Sequence, residues 1–123
     1  MTTWLEARKF CIGKGADLAV PFSKANNDYL FNEMKKKGIH KAFIGWFKTA
    51  PGLGSKFYTT NGHLPVFTNW GSGQPSNSNG NEDCGEIIAY HYSSYTDGIH
   101  NDLPCSFKRH FICQIAGSCK AGK

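Results

Sequence analysis

The spacing of apolar positions changes along the chain, and each change marks a predicted element. Trp4, Ala7 and Cys11 recur at i, i+3 and i+7, one face of a helix. Thr3 precedes that stripe and Glu6 stands three residues after it, the pattern of a capping box. A helix is predicted to follow Thr3 and to end near Gly13 to Gly15. Asp17 to Val20 reads as a short extended piece. Ser23 is the next cap, for a helix running to about Lys37 with Leu30, Phe31 and Met34 turned inward and Gly38 as its stop. Ala42 to Phe47 then predicts an aromatic-rich strand, Glu86 to Ser93 a second, and Arg109 to Ile115 a closing one. Between the first two lies a Gly-, Pro- and Ser-rich stretch from Lys48 to Gly80, interrupted by Lys56–Thr60 and Val66–Trp70. Gly117–Lys123 is a small, polar tail of the kind that frays. Two helices followed by strands give an α+β order rather than alternating βαβ.

A length of 123 residues predicts one domain over residues 1–123, large enough for a real core. Fourteen Gly and five Pro favour a loop-rich fold. No apolar run approaches the roughly 18 residues of a membrane span, so membrane insertion is not expected. A charged-then-apolar leader is absent from the N-terminus, which reads as a mature form or as a piece cut from a longer chain. Five cysteines point to an oxidising, extracellular compartment. Zinc is the competing use for them, but C-x-x-C and H-x₃-H pairs are missing. An odd count leaves one cysteine over. The net charge of +5 rests partly on Lys35, Lys36 and Lys37, at the end of the second helix, where cations complement the dipole. Basic residues are not interleaved with aromatics as a nucleic-acid groove needs, so nucleic acid is excluded as a partner.

The acidic residues are unevenly placed. Five of the nine (Glu82, Asp83, Glu86, Asp97 and Asp102) fall between Asn69 and Cys105, and none occurs from Met34 to Asn81. Side-chain oxygens of Gln74, Ser76 and Asn101 lie in the same stretch. Carboxylates mixed with amide and hydroxyl oxygens suit a hard cation such as calcium, which takes about 6–8 oxygen ligands in irregular geometry. A loop region this long is uncommon in a compact domain unless it is functional.

Three groups in this stretch, Gln74-Pro75-Ser76, Glu82-Asp83-Cys84 and His100-Asn101-Asp102 followed by Cys105, resemble the sugar-binding region of a C-type lectin domain. That region carries a Glu/Gln-Pro-Asn/Asp motif, a Glu just before a cysteine, and Trp-Asn-Asp before a second cysteine. Ser76 and His100 depart from it, standing where Asn or Asp and where Trp are usual. The resemblance extends through the chain. Thr3-Trp4 with Ala7 and Cys11 resembles the family's first helix, Phe43-Ile44-Gly45-Trp46 its Trp-Ile-Gly-Leu core motif, and Phe111-Ile112-Cys113 its closing strand. Phe67, Asn69 and Trp70 before the Gln-Pro resemble the single-domain lectins of invertebrates.

The resemblance implies an α+β C-type lectin-like fold, with two helices packed on small antiparallel sheets and a long calcium- and sugar-binding loop region. It implies disulfides Cys11–Cys113 and Cys84–Cys105, leaving Cys119 as the odd thiol, and a cis Gln74–Pro75 bond. Carried over position by position, the calcium ligands are Gln74, Ser76, Glu82, Asn101 and Asp102. The same five residues would hold two neighbouring sugar hydroxyls, with Tyr95 or His100 as the ring against the sugar. Gln in the first motif position goes with galactose or N-acetylgalactosamine in this family. The implied role is recognition of glycans on cell or microbial surfaces in innate immunity. One calcium site is expected, since Lys48 to Asn81 has no carboxylate for auxiliary ions.

A calcium-independent protein-binding module of the same fold is the alternative, supported by Ser76 and by only two full charges among the five ligands. An enzyme is not expected: His63, His91 and His100 lie near loops, but no nucleophile sits in a recognised elbow and no catalytic residue is assigned. The family usually begins with a strand that pairs with the closing strand, and Met1 lies only two residues before Thr3. Either that strand is missing or the closing strand keeps an open edge, which together with Cys119 predicts a homodimer.

Overall fold

The computed structural model describes residues 1–48, 56–70, 82–91 and 94–115, with the side chains of residues 90–97 outside that description. Helix α1 (Trp4–Gly13) begins at Thr3 with both halves of the capping box formed. The Thr3 hydroxyl accepts from the Glu6 amide at 3.4 Å, and the Glu6 carboxylate accepts from the Thr3 amide at 3.1 Å. Trp4, Ala7 and Cys11 form the buried face, as the spacing predicts. Trp4 also donates its indole N–H to the Ile44 carbonyl at 2.9 Å, so the ring is buried without an orphaned donor.

Strand β1 (Asp17–Leu18) follows, then α2 (Lys24–Lys37). The Ser23 hydroxyl caps α2 through the Asn26 amide at 3.1 Å, and Gly38 ends it in the left-handed region at φ 68°. Lys35, Lys36 and Lys37 fill the last turn, where they complement the helix dipole. The buried face of α2 comprises Asn27, Leu30, Phe31 and Met34. One polar residue therefore sits in the apolar stripe.

The main sheet holds β2 (Lys41–Lys48), β3 (Phe57–Thr59), β4 (Cys84–His91) and β5 (Ser94–Leu103) in the order β3-β2-β4-β5, and β6 (His110–Phe111) pairs in parallel with β2. A second sheet joins β1 to β7 (Cys113–Gln114). Three sequence expectations change. The second predicted strand begins at Cys84, two residues early. The closing strand is split at Ile112, whose carbonyl accepts from the Ala19 amide at 2.8 Å, so one segment serves both sheets. The third change is β5, ten residues over which no element was predicted.

Trp46, Ala42, Ile44 and Ile87 pack against Leu30, Phe31 and Met34 of α2, and Phe43 and Leu103 pack with the buried face of α1. Each fully buried large apolar side chain contributes roughly 1.5–3 kcal/mol. Trp70 is partly buried against Trp46 and Phe57, with ring centroids 5.1 and 5.4 Å apart, and so anchors its loop. Both implied disulfides are present. Cys11–Cys113 closes a separation of 102 residues and Cys84–Cys105 one of 21. In the chain-entropy account the two are worth about 5 and about 3 kcal/mol. Thr2 and Arg109 exchange backbone hydrogen bonds at 2.9 Å in each direction, so the closing segment has a partner on that side at residue 2.

Candidate functional site

The β4–β5 pair sets the positions of the acidic residues. Its register places Cys84 opposite Leu103, Gly85 opposite Asp102 and Glu86 opposite Asn101. Glu82 stands two residues before Cys84, so Glu82, Asn101 and Asp102 share one end of the hairpin, which the Cys84–Cys105 disulfide clamps. The chain on the other side of residues 71–81 is attached to the same strand, because Trp70 forms a parallel bridge with His100. Gly85 leaves room for Trp46 beneath this end: a Cβ there would meet the Trp46 Cβ at 3.0 Å. Gln74 and Ser76 lie outside the described residues, as do the Gln74–Pro75 bond, Cys119 and the side chains of Tyr95 and His91.

His100 is not at a sugar-facing surface, which corrects its assignment as a stacking ring. It is 0% exposed. Its Nδ1 accepts from the Asn69 amide at 2.9 Å, and its Nε2 lies 2.7 Å from the Asn27 Oδ1. The first bond fixes the tautomer, so Nε2 carries the proton and donates to Asn27. Asn27 donates to the Gly98 carbonyl at 3.0 Å, and Asn69 donates to the same carbonyl at 3.1 Å. The His100 ring lies edge-on to Trp46, with centroids 4.5 Å apart. It thus fills the core position where the family has Trp, and two asparagines satisfy its nitrogens. Burial pushes its pKa down to about 3. Sequence reasoning missed Asn27 and Asn69. The available signal was Asn27 in register with Leu30, Phe31 and Met34 on a buried helix face.

A second buried group lies beside it on β4. The Glu86 carboxylate, 1% exposed, accepts from Arg109 Nε and from the Asn101 amide, each at 2.8 Å. Arg109 supplies the charge that makes this burial tolerable. With its amide nitrogen held by Glu86, Asn101 has Oδ1 as the atom to offer a cation. Asp102, next in the strand and opposite Gly85, is likewise 1% exposed. Asp83 Oδ1 faces the Lys48 ammonium at 3.8 Å, too long for a hydrogen bond but close enough for the two charges to attract, and that lysine side chain is only 4% exposed.

Among the described residues no three His, Cys, Asp or Glu side chains converge as a metal site. Glu82, Asn101 and Asp102 nevertheless offer oxygen donors only, two of them charged, a set that fits a calcium ion better than zinc. No helix among the described residues is long and apolar enough to cross a membrane.

Comparison with known proteins accounts for this architecture. The family model described as the lectin C-type domain matches residues 1–115. Bovine (Bos taurus) collectin-11 is 31% identical over 112 residues, covering 91% of this chain and 39% of that protein. The hemolymph lipopolysaccharide-binding protein of Periplaneta americana is 36% identical, covering 92% of this chain and 45% of that protein. The chain thus spans less than half the length of these curated relatives. Among solved structures, the C-type lectin CEL-I from Cucumaria echinata superposes with a TM-score of 0.78 at 26% identity, covering 91% of this chain and 81% of that one. Human lithostathine shares the fold, with a TM-score of 0.77 at 23% identity and coverage of 91% and 75%.

Proposed function

The chain belongs to the C-type lectin domain family, a family of binding domains rather than enzymes, and on that footing we propose that it binds saccharides through one calcium ion. The observation that carries the reading is the β4–β5 register, which brings Glu82, Asn101 and Asp102 to one disulfide-clamped end of the sheet. Gln74 and Ser76 complete the proposed ligand set. When bound, the ion supplies open coordination positions to two neighbouring sugar hydroxyls. The protein's part is to hold acceptors and donors around those hydroxyls. Glu82 and Asp102 accept only, the Gln74 amide both donates and accepts, and Asn101, its nitrogen held by Glu86, offers Oδ1. Gln74 in place of Glu supports a galactose or N-acetylgalactosamine preference. The ring expected against the sugar is Tyr95, now that His100 is spoken for.

The proposed setting is extracellular, where both disulfides persist. Kinship with a collectin and with a hemolymph protein named for binding lipopolysaccharide supports glycans of microbial surfaces as targets and a part in innate immunity. A homodimer joined through Cys119 belongs to the same proposal. A calcium-independent protein-binding module is the second reading, favoured by the Asn101 amide being tied to Glu86. An immobilised-galactose column separates the two. Retention in calcium, release by chelator and loss of retention in Glu82→Gln are expected. Equal binding of a protein partner with and without chelator, and no retention on sugar, would establish the second reading.

A further inference from the structure

A cleft of about 560 Å³ lies between α2 and the segment that carries Phe67 and Asn69, apart from the residues proposed to hold calcium. On the helix side Lys24, Asn27 and Asp28 stand at i, i+3 and i+4 and so share one face. Its floor is fixed. Asn27 and Asn69 both bond the Gly98 carbonyl and both bond His100. Phe67 is held edge-on to the His100 ring at 6.0 Å and remains partly exposed. At the mouth Lys24 and Asp28 pair at 3.0 Å with both side chains reaching water. Asn32 is exposed, and its amide makes no hydrogen bond among the described residues.

These walls combine the exposed Asn32 amide, one cation, one anion and an aromatic ring. A neutral, polyhydroxylated ring meets every one of those features: its hydroxyls both donate and accept, and its apolar C–H face covers an aromatic. An anion or a cation would find one of the two mouth charges opposed to it. The volume falls within the roughly 300–1,000 Å³ typical of small-molecule sites. A second cleft among the described residues, about 350 Å³ between α2 and the closing segment, also carries Lys37, Glu33 and Gln114, but most of its lining is apolar, with Leu30, Met34, Ile39 and Ile112, and the Gln114 side-chain oxygen is taken by the Val20 amide. We propose that the α2 cleft is a second saccharide site, one that needs no metal ion.

The site is tested on the full, isotope-labelled chain in excess chelator, where the calcium-dependent reading plays no part, so the two proposals fail separately. Methyl β-galactoside and methyl α-mannoside are titrated to tens of millimolar while the side-chain amide signals of Asn27, Asn32 and Asn69 are followed. Saturable shifts in these signals with at least one glycoside are expected. Asp28→Ala, which removes a charged hydrogen-bond partner, should weaken that binding by about tenfold or more. Asn32→Trp, a change on an exposed helix position, should fill the mouth and abolish it while circular dichroism stays unchanged. Absence of shifts with both glycosides overturns the proposal. So do shifts of equal affinity in wild type, Asp28→Ala and Asn32→Trp.

Discussion

At the scale of single residues, His100 is the substitution with the largest physical consequence. A Trp at this position contributes area and one donor. A His contributes less area and two nitrogens, each of which needs a partner in the core. Asn27 and the Asn69 backbone supply those partners. The arrangement accommodates only the neutral ring, because protonated Nδ1 would meet the Asn69 N–H. The folded-state pKa is near 3, against an ordinary value of 6.5, so the unfolded chain takes up a proton below pH 6.5 while the folded chain does not. The contribution is complete above pH 6.5 and falls by about 1.4 kcal/mol per unit as pH drops toward 3. Urea unfolding at pH 7 and pH 5 should therefore differ by up to about 2 kcal/mol from this group. The difference should shrink in His100→Trp; an unchanged pH dependence in that variant would remove His100 as its source. Glu86 carries the second residue-scale prediction. Glu86→Ala strands Arg109 and the Asn101 amide, and chemical denaturation should register a loss of about 3–5 kcal/mol. A cost below about 1 kcal/mol would mean that the pair is solvated in solution.

At the scale of elements, both helices were legible because their caps and stripes coincide: Thr3 with Glu6, Ser23 with Gly38. β5 was not. Its sequence runs through Asp97-Gly98 and Asn101-Asp102, which read locally as turns. The strand forms anyway because β4 offers a full edge, and because Gly98 adopts φ 71° and takes two side-chain amides on its carbonyl. Tertiary pairing overrides local propensity here. Gly98→Ala should therefore be costly on two counts: the left-handed backbone, and a Cβ that would meet the Asn27 amide nitrogen at 2.9 Å. A loss of about 1–3 kcal/mol is expected, read as a lower melting temperature with faster amide exchange at residues 98–101. Gly15, also at positive φ (78°) but with open space around its Cβ position, is the matched control and should cost less when changed to Ala. The split of the closing strand at Ile112 was equally illegible, since a continuous apolar run gives no sign that its two ends serve different sheets.

At the scale of the whole molecule, the candidate site was legible as a composition and as a resemblance: carboxylates crowded into one stretch, in the order a lectin uses. What sequence did not reveal is what the neighbouring carboxylates do: Glu86 pairs with Arg109 and Asp83 faces Lys48, so neither adds charge to the proposed set, whose two charged members are Glu82 and Asp102. Two charges place the expected affinity at about 10⁻⁴–10⁻³ M, the range of extracellular modules. Stabilisation by a ligand that binds only the folded state is RT ln(1 + [L]/Kd), so about 10 mM calcium should add roughly 1.4–2.7 kcal/mol. For a domain of this size that is a rise in melting temperature of about 5–10 °C. Magnesium at the same concentration should do far less, because it demands near-octahedral geometry and gives up water reluctantly. Differential scanning calorimetry with calcium, magnesium and chelator reads all three directly. Asp102→Asn should abolish the calcium shift, while Asp83→Asn should keep it, since Asp83 is engaged by Lys48 rather than by the ion. A rise of equal size in Asp102→Asn would place the ion elsewhere. No rise in wild type would leave the domain with a metal-free mode of recognition, and saccharide binding in chelator would then rest on the α2 cleft alone.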